Sequence, residues 1–171
     1  MLPKYESGGR EQVILRAMSR QNLKLFSMNF IRCGIAGWCL EILFTSVEAW
    51  MRGDPKLMGT TSIIMFPIYG AGALLPLIVK WCDRWLSGLP GFEKADADKM
   101  PLAALKLRHG LICMVLIYTG EYIAGTFLMG KGICPWDYSQ WPDHIGGVIR
   151  LAFIPFWFGT GLLFESLCTH K

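Results

Sequence analysis

The sequence predicts an all-α polytopic membrane protein, a bundle of four transmembrane helices arranged as a parallel internal repeat of two helix pairs. Three observations carry this prediction. Hydrophobic residues make up 53% of the 171 and charged residues only 18%, with mean hydropathy +0.36. That is too little charge to cover a soluble domain of this length. Four segments reach the about 20 mainly apolar residues that a bilayer-crossing helix needs. Finally, positions in the first pair of segments recur in the second pair at a fixed spacing.

The four segments are 25–51, 57–82, 102–130 and 145–168, with Lys106 and Arg108 placing the start of the third at the interface. Each is read as a helix because backbone facing lipid must satisfy its own hydrogen bonds. The alternating pattern of an outer-membrane strand is absent. Residues 1–24 form a basic arm and 25–171 the membrane domain. The arm carries Lys4, Arg10, Arg16, Arg20 and Lys24, and the middle connection Lys80, Arg84, Lys94, Lys99, Lys106 and Arg108. The other two connections hold only Arg52, Lys56 and Lys131. This asymmetry predicts a multi-pass protein of the cell membrane with both termini in the cytoplasm. Residues 10–24 suit either a basic amphipathic helix on the inner leaflet or a solvated arm. The polar N-terminus lacks an apolar core, so no cleaved signal peptide is expected. Gly88, Pro90, Gly91 and Pro101 mark the middle connection as a hinge.

The repeat is seen in pairs. Pro67 and Pro155, Tyr69 and Trp157, Leu74 and Leu162, and Leu75 and Leu163 are separated by 88 positions. Trp38 and Tyr118, and Glu41 and Glu121, are separated by 80. The longer outer connection of the second half takes up the difference. Parallel repeats related by an axis along the membrane normal occur in transporters and imply a cleft between the halves.

An ionised side chain inside a bilayer costs about 2.5–3.5 kcal/mol on insertion scales, yet Arg32, Glu41, Glu48, Glu121, Arg150 and Glu165 all fall within the predicted spans. Several continue stripes of small and polar residues at helical spacing, such as Gly34, Gly37, Glu41, Thr45 and Glu48 on the first span. Such stripes permit close helix approach and should face one another. Counting about 1.5 Å per residue puts Glu41 and Glu121 about 13 Å, and Arg150 about 9 Å, below the outer surface. Either Arg150 neutralises one glutamate and the other is protonated, or the layer handles a ligand or protons. Arg32 and Glu165, nearer the cytoplasmic side, are expected to pair.

The connection 131–143, K-G-I-C-P-W-D-Y-S-Q-W-P-D, lies just outside this layer. Trp136, Tyr138 and Trp141 suit the headgroup belt. Asp137 is left over, to cap a turn through Tyr138 and Ser139 or to face the polar layer. The candidate substrate or proton site is therefore Glu41, Glu121, Arg150, Tyr69, Trp136, Asp137 and Tyr138. Six cysteines show no C-x-x-C spacing, and His109, His144 and His170 are spread over both faces without H-E-x-x-H. No metal, cofactor, catalytic set or nucleic-acid partner is expected.

The motifs G-W-C-L-E (37–41), L-M-G-T-T-S (57–62), F-P-I-Y-G (66–70), G-E-Y-I-A-G (120–125) and C-P-W-D-Y-S (134–139) resemble those of the type IV ABC-transporter permease family, also called CmpB-like. The resemblance spans nearly all of 27–166 and implies a permease subunit. No G-x-x-x-x-G-K-S/T loop occurs, so ATP hydrolysis would fall to a separate subunit. Homo-oligomerisation through the glycine-rich faces is a further expectation. Three functions stay open: a transport component, a membrane enzyme acting on a lipid-like substrate, and a non-catalytic membrane scaffold.

Overall fold

The computed structural model describes residues 7–88 and 100–169, with residues 7–18 described by backbone alone. The first helix, α1, runs unbroken from Ser7 to Met51 and so includes the end of the basic arm. The second crossing is compound: α2 (Met65–Gly70), a 3-10 turn (Ala71–Leu74) and α3 (Leu75–Ser87). Pro76, in the first turn of α3, explains the tightening. It has no N–H for the Gly72 carbonyl and its ring crowds that position. Helix α4 (Leu102–Gly130) follows Pro101. A short antiparallel hairpin then pairs β1 (His144–Ile145) with β2 (Ile149–Arg150), His144 opposite Arg150. One 3-10 turn, Leu151–Phe153, leads into α5 (Ile154–Thr169).

Four helical stretches are long and apolar enough to cross a bilayer: Ser19–Met51, Met65–Ser87, Leu102–Gly130 and Leu151–Thr169. Apolar side chains point outward along them, including Ile35, Val47, Trp81, Val115 and Phe127. The molecule is a multi-pass membrane protein of four helical crossings. Where its two halves meet, Cys33, Leu75, Val79, Cys113 and Phe164 form the buried core.

The sequence repeat is matched by several equivalent contacts. Trp38 Nε1 donates to the Ser62 carbonyl (3.0 Å), and Tyr118 Oη, 80 positions on, donates to the Arg150 carbonyl (2.9 Å), 88 positions after Ser62. The Tyr69 hydroxyl lies against Glu41, and the Trp157 indole against Glu121. Gly70 receives the ring of Phe30, while Gly110 receives the ring of Phe158. In that last pair the large and small residues have changed places at equivalent positions, so the volume is conserved while its source is exchanged. Cys33 and Cys113, also equivalent, are both fully buried.

Two predicted spans begin later than expected. Residues 57–64 are not the start of the second helix, because Met65 opens it. Residues 145–150 are a hairpin rather than the first turns of the fourth. The chain turns at Gly146 (φ 62°) and Gly147 (φ 73°), left-handed conformations that glycine adopts freely. The hinge expected in the middle connection falls mostly at 89–99, outside the described residues.

A methyl group added at Gly110 meets the Phe158 ring, whereas one at Gly120 meets nothing. Gly110→Ala should lower stability by about 1–3 kcal/mol, the usual cost of overpacking. Gly120→Ala should be neutral or stabilising by up to about 1 kcal/mol from helix propensity. Thermal melts of the two purified variants in the same detergent check this contrast.

Candidate functional site

Helix α1 overshoots the start of α2 by the 13 residues from Trp38 to Met51, about 20 Å, and α4 overshoots α5 similarly. The irregular segments 57–64 and 144–150 lie against these overhangs. Outward-facing Leu43, Val47 and Ile123 sit on the same overhangs, so the irregular backbone lies level with an apolar surface. In 57–64 the partners come from α1. The Thr60 N–H donates to Thr45 Oγ1 (2.8 Å), and the Thr45 hydroxyl donates to the Thr60 carbonyl (3.0 Å). Thr61 Oγ1 donates to Glu41 Oε2 at 2.9 Å, which fixes one carboxylate oxygen.

A cavity of about 220 Å³ opens between these overhangs. Glu41, Tyr69, Glu121, Trp136, Asp137 and Tyr138 all line it. The structure thus brings six of the seven sequence-flagged residues to one space. It adds Glu48, Arg52 and a ring of Phe44, Trp141, Phe153, Phe156 and Trp157. Glu121 Oε2 and Trp157 Nε1 are both buried, with Trp157 only 7% exposed, and the indole lies against the carboxylate. Buried polar groups find partners, and here each is the other's neighbour. A second cavity of about 130 Å³ shares Tyr69, Glu121, Trp136 and Trp157 and continues between Leu75, Leu116 and Phe164.

Arg150 is the seventh residue, and its place differs from the expectation. It sits in β2, outside α5, because the Gly146–Gly147 turn reverses the chain. Its Nε is 3.5 Å from Asp143 Oδ1, and its guanidinium stacks 3.7 Å above the Trp141 ring. Its charge is therefore matched by Asp143 rather than spent on a glutamate. It supports two rings of the cavity wall, Trp141 and, at 5.0 Å, Phe153.

The 131–143 connection is held down from beneath. Trp136 Nε1 donates to the Val148 carbonyl (3.0 Å), and the Tyr138 N–H to the Gly147 carbonyl (2.8 Å). Asp137 Oδ1 accepts from the Ser139 N–H at 2.9 Å, so the turn-capping expectation describes it, at an exposed position on the cavity rim. That bond with Ser139 holds the Asp137 carboxyl below the usual carboxylate range, with a smaller contribution from His144. Burial pushes the Tyr138 hydroxyl up, and the acids facing it add to the shift.

A second polar cluster occupies the opposite end of the bundle, where the sequence predicted an Arg32–Glu165 pair. Arg32 instead reaches the Leu167 carbonyl (3.5 Å). Glu165 Oε1 is 2.7 Å from His109 Nδ1, and Asp83 Oδ2 is 2.9 Å from His109 Nε2, with Arg108 pairing to Asp83. This joins α3, α4 and α5. The only trace of this cluster in the sequence is charge at similar depth in three segments. Among the described residues, no group of three His, Cys, Asp or Glu could hold a metal ion.

A family model described as "Putative ABC-transporter type IV" matches residues 28–170. The chain belongs to that family. The match covers most of the first crossing and all of the other three, both cavities and the 131–143 connection, so the type IV assignment and the site concern the same part of the chain. No solved structure matches the chain.

The hairpin also titrates. The Ala152 N–H on Asp143 Oδ2 (2.8 Å), then Arg150, hold the Asp143 carboxyl below its ordinary value. A depressed carboxyl pKa contributes stability above the ordinary value of about 3.9, and this is lost as pH falls through the lower folded value. Amide protection in 141–153, relative to the intrinsic exchange rate at each pH, should fall below about pH 4. Asp143→Asn should show the lowered protection already at pH 7, and an unchanged profile would contradict this role.

Proposed function

We propose that this type IV chain is a transport subunit whose substrate- or proton-handling site is the 220 Å³ cavity, with Glu41 and Glu121 as its acting groups. The observation that carries the reading is the convergence of two carboxylates, Glu41 from one half and Glu121 from the other, on that cavity. A purely structural pair of helix-joining acids would be expected to close on protein partners, as Glu165 does on His109. Tyr69 and Thr61 orient Glu41, leaving one carboxylate in each half directed at the space between them. Trp136, Tyr138 and Asp137 form the cap, and Arg150 stiffens its rim through Trp141.

Positive charge on the arm and middle connection supports cytoplasmic termini and a cavity facing outward in the cell membrane. ATP hydrolysis belongs to a separate ATPase subunit, since this sequence holds no phosphate-binding loop. Self-association through glycine-rich faces would enlarge the conduit that four helices can enclose.

Solute uptake by vesicles holding wild type, Glu41→Gln, Glu121→Gln or the double variant tests this. Each single variant should lose at least about tenfold, equivalent to one missing charge-assisted hydrogen bond of about 1.5 kcal/mol, while protein amount in the membrane stays level. Normal uptake by the double variant would exclude the site.

A further inference from the structure

We infer that the ligand of this cavity is a short-chain alkylammonium ion, an inference that rests on the reading of the cavity as the transport site. The walls specify charge first. Glu41, Glu48, Glu121 and Asp137 face the space against a single cation, Arg52. They specify the kind of cation next. The walls also carry the aromatic side chains of Phe44, Tyr69, Trp136, Trp141, Phe156 and Trp157, and aromatic rings attract a weakly hydrated organic cation within about 6 Å of their centroids. Bare metal ions are disfavoured by the same lining, because no three His, Cys, Asp or Glu among the described residues converge on one point.

The Glu121 carboxylate refines the class. Glu121 can accept more hydrogen bonds than the single N–H of the neighbouring Trp157 indole offers it. An ammonium with at least one N–H supplies a further donor, whereas a quaternary ammonium does not. The adjoining 130 Å³ cavity then takes the substituent. It meets the first at Tyr69, Glu121 and Trp157, and its remaining wall includes Ile68, Leu75, Leu116, Ile117 and Phe164. A charged head against Glu121 and an alkyl tail among those residues is the geometry of a primary alkylamine in its protonated form. The same chemistry is carried by a free solute and by the ethanolammonium head of a phospholipid.

The test uses the full chain in phosphatidylglycerol nanodiscs, with tryptophan fluorescence as readout, because Trp136, Trp141 and Trp157 line the space. Methyl-, propyl- and butylammonium are the probes, against 1-butanol, butyrate and tetramethylammonium. Saturable binding should tighten about fourfold per methylene buried from methyl to butyl. Butanol and butyrate should bind at least tenfold more weakly, and tetramethylammonium should fall below butylammonium. Glu121→Gln should weaken butylammonium by at least tenfold. Phe44→Leu, which removes one ring at nearly constant volume, should weaken it severalfold and serves if Glu121→Gln fails to accumulate. Adding phosphatidylethanolamine distinguishes the sources: competition with butylammonium assigns the head to lipid, and no effect assigns it to a free solute, the ammonium site standing in both cases.

Butyrate binding as tightly as butylammonium, with sensitivity to Glu41→Gln and Glu121→Gln, would overturn the ammonium assignment and leave the transport site in place. So would absence of binding by every ammonium probe while the glutamate variants still lose uptake. Absence of binding together with normal uptake in both variants would remove the site and the ligand class at once.

Discussion

A backbone amide in an apolar surrounding must find a partner, and this chain leaves the helix at two places where such partners are scarce. The segments 57–64 and 144–150 run beside outward-facing apolar side chains, so water is a poor substitute. Each is anchored by one long aromatic side chain reaching across from the neighbouring helix: Trp38 to Ser62, Tyr118 to Arg150. Everything near the cavity is registered to those two bonds. They set the height at which α2 and α5 begin, and so which turns of α1 and α4 stand free above them.

Those free turns are where the glutamates sit. Glu41 lies one turn beyond Trp38 and Glu121 one turn beyond Tyr118, so each acid emerges just past its aromatic anchor. A complete second helix alongside would have covered them with side chains. The irregular segments cover them only partly, and Thr61 of the first binds Glu41. The halves are alike in framework and unlike in what fills the interval. Thr45 and Thr60 exchange hydrogen bonds in the first half, while in the second the equivalent Gly125 and Val148 touch directly and Trp136 packs beside them. Residues of the 131–143 connection line the shared space.

Much of this was legible in the residues. Apolar length gave four crossings, the paired glutamates and aromatics gave the repeat, and the loop composition pointed to a cap. The offsets of 80 and 88 proved to be statements about contacts as well as letters, since equivalent residues make equivalent bonds. What escaped has a common cause: hydropathy counts side chains and is blind to backbone direction. I-G-G-V-I reads as apolar, although its two glycines are a turn signal. Placing Arg150 on a helix aimed it at the glutamates, whereas the reversal at Gly146 brings it back to Asp143, seven positions earlier. The Asp83–His109–Glu165 cluster escaped for another reason. Its members come from three helices, and nothing local in sequence announces that their side chains meet.

The two irregular segments also constrain how the chain can enter a membrane. An isolated second crossing would carry 57–64 into lipid with its amides bare, at several kcal/mol per unpaired group. The partners that remove this cost, Trp38 and Thr45, are already present on α1 when the segment emerges from synthesis. The same order holds for α4 and the hairpin. Entry of each helical pair as one unit would close its polar seam before the amides meet lipid.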